Sequence, residues 1–316
     1  MAIISASRKT DIPTYFSKWF LNCLEKQEFY IRNNPYNKNA VTHITFNKED
    51  IDCIVFWTKN PMPMFNELDR LNNMGYPYYF QFTLTGYGEE LEGNIPEKSV
   101  LIDAFQKLSN LTNKKVIWRY DPIIIDFSHN MDWHLGEFTN IASNLDGYTN
   151  RCVISFVDLY KHLNNYKDIN TIIDDYESKQ NFINFCKELV RIAHLHNMEI
   201  FTCAEELVDI GIERGACIDK DYIEKIVGYE LSVNKDKGQR SACLCAESID
   251  IGKYDTCNNR CKYCYACKDR DNIIKNFSLY DPNSLFLCDK LNELDVITEK
   301  KLQSLRKYNS EQLTLF

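Results

Sequence analysis

The feature that most constrains the fold is a regular alternation of short β-rich runs with amphipathic helical stretches over the first two-thirds of the chain. Apolar residues recur at helical spacing between these runs, as in Leu101, Phe105 and Leu108. Each interval is long enough for one helical crossover, which favours a parallel sheet with right-handed connections. We therefore expect an α/β fold, a partial (β/α)6 TIM-like barrel, with strands at residues 3–7, 52–58, 78–85, 115–120, 152–159 and 199–204.

Polar residues cluster directly after these predicted strands. In parallel barrels the residues that act on substrate collect at the carboxyl ends of the strands. Loops are polar in any protein, but the charged side chains at these positions exceed what solubility requires: Arg8, Lys59, Arg119, Asp121, Asp158 and Glu205. The candidates for substrate binding or catalysis are Arg8, Lys9, Asp11, Lys59 and Glu205.

Thirteen cysteines, six of them between residues 243 and 267, are the unusual part of the composition. The N-terminus lacks the pattern of an export signal and no apolar run is long enough to span a membrane, so we expect a cytoplasmic, reducing location. Clustered thiols there indicate metal rather than disulfides. The net charge of −8 gives no support to a general polyanion-binding surface, although a local basic groove stays open.

Residues 257–264 read CNNRCKYC, a C-x3-C-x2-C motif. Three thiolates with this spacing can ligate three irons of a 4Fe-4S cluster and leave the fourth iron open. Tetrahedral zinc usually takes its ligands as two separated pairs, and Cys243, Cys245 and Cys267 could complete such pairs. The motif therefore favours a cluster held by Cys257, Cys261 and Cys264, with zinc as the alternative.

The motif CNNRCKYCYA resembles the cluster loop of radical S-adenosylmethionine (SAM) enzymes, whose core is a six-stranded partial barrel. With SASRKTDIP, VFWTKNP, WRYDPI, GQR and DIGKYDTCNNRCKYCYA, nearly the whole chain resembles the DUF1848 family, described as having a radical-SAM-like cysteine cluster at its C-terminus. In most radical SAM enzymes this loop follows the first strand, whereas here it lies beyond the sixth. A segment returning after the sixth strand can still close near the first.

The resemblance implies a 4Fe-4S cluster and SAM as cofactors, and an electron donor such as flavodoxin or ferredoxin. Tyr263 would lie against the adenine of SAM, and Thr58 and Asn60 would contact its amine. Arg119 would bind its carboxylate, because a guanidinium matches a carboxylate fork. Structural alternatives are that Thr58 caps the next helix and that Arg119 pairs with Asp121.

A second set of four cysteines comes from a strand end, a loop and a C-x-C pair. Four thiolates could hold an auxiliary iron–sulfur cluster, as in many radical SAM enzymes, although scattered cysteines are often small buried apolar residues. Cys203 alone could instead donate a hydrogen atom. The set comprises Cys203, Cys217, Cys243 and Cys245.

The organisation predicted from these patterns is a partial barrel over residues 1–235, an iron–sulfur segment over 236–270, and a helical extension and tail over 271–316, with a helix from about Thr298 to Lys307. A weaker resemblance to spore-photoproduct-lyase-like proteins, in TKN, TLT, LEGNIP and CKYCYA, implies a damaged or modified nucleobase in DNA as substrate. The alternatives are a non-catalytic iron–sulfur electron carrier and a zinc-stabilised binding protein.

The last residues, QLTLF, resemble the short peptide by which bacterial repair and replication proteins dock on the DNA sliding clamp. Leu315 and Phe316 would fill an apolar pocket, with Gln312 at its rim and Leu313 beside them. The alternative is that this tail packs on the protein's own barrel.

Overall fold

The computed structural model of the chain describes residues 2–32, 34, 36–157, 176–205 and 207–308. The strands are β1 (Ile3–Ala6), β2 (Glu28–Ile31), β3 (Ala40–Thr45), β4 (Cys53–Thr58), β5 (Tyr78–Thr83), β6 (Val116–Ile123), β7 (Arg151–Phe156), β8 (Glu199–Cys203), β9 (Glu213–Gly215), β10 (Ile249–Asp250) and β11 (Val296–Lys301). The helices are α1 (Ile12–Tyr15), α2 (Ser17–Lys26), α3 (Leu68–Met74), α4 (Lys98–Leu111), α5 (Met131–Leu145), α6 (Tyr176–Leu195), α7 (Lys220–Val227) and α8 (Arg270–Ser278).

One eight-stranded parallel sheet has the order β10-β1-β4-β5-β6-β7-β8-β9. The six predicted strands are β1 and β4 to β8, and each lies beside the next one along the chain. The α/β class and the parallel sheet are therefore confirmed. The strand count is corrected from six to eight, because β9 and β10 are only three and two residues long and leave no pattern to recognise.

The two faces of this sheet pack against different partners, because side chains alternate along each strand. Helices α2 to α6 cover the outer face, where the strand residues include Ile4, Phe56, Phe80, Trp118 and Ile154. The inner face carries Ile3, Val55, Tyr79, Ile117 and Val153, and it is filled by residues 216–246, which include α7. This singly wound arrangement puts the carboxyl ends of neighbouring strands along one edge of the sheet.

The prediction of a helix from about Thr298 to Lys307 is wrong. Residues Val296–Lys301 form β11, which pairs in parallel with β3, and β3 pairs antiparallel with β2 in a small second sheet. The β-branched run Val296, Ile297 and Thr298 suits a strand, and Leu302 is fully buried directly after it.

The segments predicted as 236–270 and 271–316 join the barrel segment through strands and side chains. β10 lies in the main sheet, and buried Asp52 accepts hydrogen bonds from the Tyr229 hydroxyl (3.0 Å), the Ser304 hydroxyl (2.5 Å) and the Leu305 N–H (2.7 Å). Among the helices of the described residues, none has the length and apolar character needed to cross a membrane.

Candidate metal centre

The cysteine loop, residues 251–267, begins at the edge of the main sheet. Because β10 pairs in parallel with β1, the chain leaves β10 at the carboxyl end of β1. The Tyr265 hydroxyl donates to the Arg8 carbonyl oxygen over 2.6 Å, and the Thr10 and Thr256 hydroxyls lie 2.6 Å apart. The loop thus lies beside the first strand even though it follows the sixth predicted strand in the sequence.

Asp250 fixes the point where β10 turns into the loop. Its carboxylate accepts hydrogen bonds from the Ser5 hydroxyl (2.9 Å), the Ser7 hydroxyl (2.7 Å), the Arg8 N–H (3.0 Å) and the Gly252 N–H (2.9 Å). A Cβ atom at position 252 would lie 1.9 Å from the Ser7 hydroxyl oxygen, so this close approach requires glycine. The segment DIGKYD is therefore a structural junction between β1 and the loop.

Asp11 holds three parts of the site together. Its carboxylate accepts from the Thr14 N–H at the start of α1 (3.1 Å), from the Lys59 N–H (2.8 Å) and from the Asn259 side-chain amide (3.1 Å). Burial raises the pKa of this carboxyl, and the hydrogen bonds oppose that effect. These contacts make Asp11 a positioning residue for the loop.

Four thiols of the loop lie close together. The thiols of Cys264 and Cys267 interact, as do those of Cys267 and Cys257, and Cys261 interacts electrostatically with Cys264. All four residues are partly exposed. Within the described ranges, no group of three or more His, Cys, Asp or Glu side chains is arranged to hold a metal ion. The fit to an iron–sulfur cluster therefore rests on the chemistry of the donor set, thiols on one short loop.

Glu92 forms a buried charge cluster beside the loop, and sequence reasoning missed it. Its carboxylate accepts hydrogen bonds from Lys59 Nζ (2.7 Å), Lys98 Nζ, the Thr85 hydroxyl (3.0 Å) and the Tyr263 hydroxyl. Burial alone would raise the pKa of this carboxyl, but the two ammonium groups outweigh it and lower the pKa to about 2. A lone glutamate in GEELEGN carries no sequence signal that separates it from an exposed neighbour.

The Tyr263 ring lies within this cluster. Its centroid is 6.1 Å from that of Tyr87, and Lys59 Nζ lies 5.5 Å from the ring centre. Thr58 and Asn60 lie at the end of β4, where the Thr58 hydroxyl accepts from the Asn60 N–H over 3.0 Å. The structural alternative that Thr58 caps the next helix is wrong, because the helical turn Met62–Glu67 begins at Pro61 without a side-chain cap.

The second cysteine set, here called the inner cysteine group, lies on the inner face of the sheet. The sulfur atoms of Cys203 and Cys217 are 3.2 Å apart. The Cys245 thiol interacts with those of Cys217 and Cys243, and the Cys245 N–H donates to Cys243 Sγ over 3.5 Å. The structure thus brings together four cysteines from three separate segments.

Arg119 lies beside the inner cysteine group. It is 4% exposed, donates to Asp121 through Nε (3.1 Å) and Nη2, and donates to Cys217 Sγ through Nη1 (2.9 Å). The pairing with Asp121 is the structural alternative weighed from the sequence. Arg8 Nη1 lies 3.4 Å from an Asp236 oxygen, and Arg8 Nη2 is buried without a hydrogen-bond partner among the described residues.

The other predicted site residues lie at the same edge of the sheet or outside the described residues. Lys9 Nζ is 3.9 Å from Asp250, and the Glu205 carbonyl accepts from the Thr202 hydroxyl over 2.9 Å. Asp158 and the four tail residues predicted to bind a partner lie outside the described residues: Gln312, Leu313, Leu315 and Phe316.

Comparison with known proteins gives one family. The sequence profile described as "Domain of unknown function (DUF1848)" matches residues 3–266. No curated protein matches the chain. Among solved structures, a D-psicose 3-epimerase from Clostridium cellulolyticum H10, crystallised with D-tagatose, has 10% identity and a TM-score of 0.24 over 72% of this chain. The chain spans 60% of the length of that structure.

Proposed function

The chain belongs to the DUF1848 family, and we propose that it is a radical SAM enzyme whose 4Fe-4S cluster is held by Cys257, Cys261 and Cys264. The observation that carries this proposal is a C-x3-C-x2-C loop at the carboxyl end of the first strand of a singly wound parallel sheet. When bound, the cluster would supply the electron that cleaves SAM to a 5′-deoxyadenosyl radical, with flavodoxin or ferredoxin as the electron donor. The fold proposed with it is the partial barrel of these enzymes.

The chain's own residues would position the cofactors and exclude water. Glu92 ties the loop to β4 through Lys59 and Tyr263, so the Tyr263 ring has a fixed place beside the thiols. Thr58 and Asn60 lie at the adjoining strand end, which fits contact with the SAM amine. Contact of Arg119 with the SAM carboxylate would require its pair with Asp121 to open.

One observation favours a second candidate, a non-catalytic protein with a closed metal site. The Cys267 thiol interacts with those of Cys257 and Cys264, so a fourth thiol is at hand to complete a four-thiolate site for an electron-transfer cluster or zinc. In that case no iron stays open and SAM does not bind.

Cys267→Ala separates these two functions. For the radical SAM enzyme, iron content and 5′-deoxyadenosine formation after anaerobic reconstitution with SAM and reductant should stay close to wild-type values, because three thiolates suffice. Cys264→Ala, three residues away, is the matched control that should lose both. Loss of iron in Cys267→Ala to the same extent as in Cys264→Ala would favour the closed site.

The proposed substrate is a damaged or modified nucleobase in DNA. Its support is the resemblance of the loop and strand ends to photoproduct-lyase-like proteins, together with the QLTLF tail. Three basic residues lie at the carboxyl ends of the strands, namely Arg8, Lys9 and Lys59. Each lies close to a carboxylate, so they do not form an open basic surface. Recognition of a base would therefore rest on pocket contacts rather than on phosphate attraction.

A peptide ending in QLTLF should bind a bacterial DNA sliding clamp with a dissociation constant on the order of micromolar, about −8 kcal/mol. The apolar Leu315 and Phe316 side chains are the expected anchors, so changing both to alanine should abolish binding in a fluorescence-polarisation titration. Equal binding of the two peptides, or no binding of either, would remove the clamp as a partner.

A further inference from the structure

The inner cysteine group is the most concentrated set of reactive side chains that the proposed function leaves unused. Cys203 ends β8, Cys217 follows β9, and Cys243 and Cys245 come from the irregular segment after α7. Three of the four are at least nine-tenths buried, and Cys203 is partly exposed. Side chains from such distant positions meet here because residues 216–246 fill the inner face of the sheet.

Side chains of the sheet fix the position of this segment. The Tyr79 hydroxyl donates to the Cys217 carbonyl oxygen over 2.5 Å, and the Gln81 amide donates to the same oxygen over 2.8 Å. Apart from α7, the described part of this segment after β9 has no helix. A cross-link between its sulfur atoms would therefore hold this segment against the inner face of the sheet.

The one measured separation between sulfur atoms of this group is close to that in a zinc–thiolate site. A tetrahedral zinc–thiolate site with Zn–S of about 2.3 Å has its sulfur atoms about 3.8 Å apart. Cys203 and Cys217 are 3.2 Å apart, the Cys245 N–H donates to Cys243 Sγ over 3.5 Å, and the Cys245 thiol interacts with those of Cys217 and Cys243. The auxiliary iron–sulfur cluster expected from the sequence is the alternative occupant of this group, and metal analysis distinguishes the two.

The charge around the group suits a bound anionic complex. Binding of Zn²⁺ by four thiols releases four protons and leaves a net charge of −2 on the complex. Arg119 Nη1 already donates to Cys217 Sγ, and Arg8 interacts electrostatically with Cys217 and Cys245 while one of its nitrogens has no hydrogen-bond partner among the described residues. Two guanidinium groups beside the sulfurs would balance that charge and orient the ligands.

We propose that Cys203, Cys217, Cys243 and Cys245 bind one zinc ion that cross-links β8 to the segment filling the inner face. Within the described residues these side chains do not yet converge as a metal-binding group, so binding of zinc requires them to turn. Each cysteine side chain can turn about its Cα–Cβ bond, and the attraction of the four thiolates to Zn²⁺ would favour that turn.

The test is metal analysis of the full-length protein purified without added metal under anaerobic conditions. We expect about one zinc per chain, with an X-ray absorption spectrum at the zinc edge that fits four sulfur ligands at about 2.3 Å. This measurement needs no variant and does not depend on SAM cleavage, so it stands or fails separately from the proposed function.

Variants then assign the ligands. Cys243→Ser should lose most of the zinc and keep the iron of the cysteine loop, whereas Cys257→Ala should keep the zinc. Cys186→Ser, a buried cysteine of α6 without a place in either group, is the matched control and should keep both. Iron near eight per chain that falls to about four in Cys243→Ser would instead establish an auxiliary cluster. That result, zinc absent from the wild type, or zinc lost only from the loop variants would overturn the proposal.

Discussion

Replacing any one of Cys257, Cys261 or Cys264 with alanine is expected to remove the iron of the cysteine loop and to abolish reductive cleavage of SAM. The reason is the ligand count, because an open cluster has only three protein ligands and cannot spare one. Iron per chain, the absorption spectrum and 5′-deoxyadenosine formation, all measured after anaerobic reconstitution, should fall together to the values of a protein-free control.

Cys23→Ala is the control for this series. Cys23 is buried in α2, and its thiol lies 3.7 Å from the Ser284 carbonyl oxygen, far along the chain from either cysteine group. The Cys23→Ala protein should keep its iron and its SAM cleavage activity. If all three loop variants still cleaved SAM, the loop would not be the catalytic centre and the proposed function would have to be given up.

The main sheet could be predicted from sequence because each of its six longer strands is a run of apolar, β-branched and aromatic residues with its own crossover. Ile54, Val55 and Phe56, for example, are all fully buried in β4. The edge strand β10 could not be predicted in this way. A strand of two residues, Ile249 and Asp250, is too short to show a pattern. The Asp250 carboxylate is held by hydrogen bonds from residues more than 240 positions away.

The site shows the same division between local and long-range information. Cysteine spacing is local, so the loop thiols could be named in advance, whereas the partners of a charged residue depend on the folded chain. Arg119 and Asp121 are a local exception: they lie two residues apart on one strand, and their pairing could be named from the sequence as an alternative. Glu92 could not be found at all, because its two ammonium partners come from β4's end and from α4.

Glu92→Ala is expected to destabilise the protein by about 3 to 5 kcal/mol, the usual cost of removing one partner from a buried ion pair. Glu92 is 2% exposed, and its loss would leave Lys59 and Lys98 close together without their shared counter-charge. The hydroxyl of Tyr263 would lose its acceptor as well. The midpoint of urea unfolding measures the change, and Glu89→Ala, an exposed glutamate three residues earlier, is the matched control.

Glu92→Gln distinguishes the loss of charge from the loss of packing. Glutamine keeps the size of the side chain and a carbonyl oxygen that can accept from Tyr263 and Thr85, but it does not neutralise the two lysines. We expect this variant to lie between the wild type and Glu92→Ala in stability, since burial of two like charges remains costly. A Glu92→Gln protein as stable as the wild type would show that hydrogen bonding rather than charge holds the cysteine loop against β4. A Glu92→Ala protein no less stable than Glu89→Ala would mean that Lys59 and Lys98 turn to water at no cost, and that contacts other than those of Glu92, such as those of Asp11 and Asp250, fix the loop.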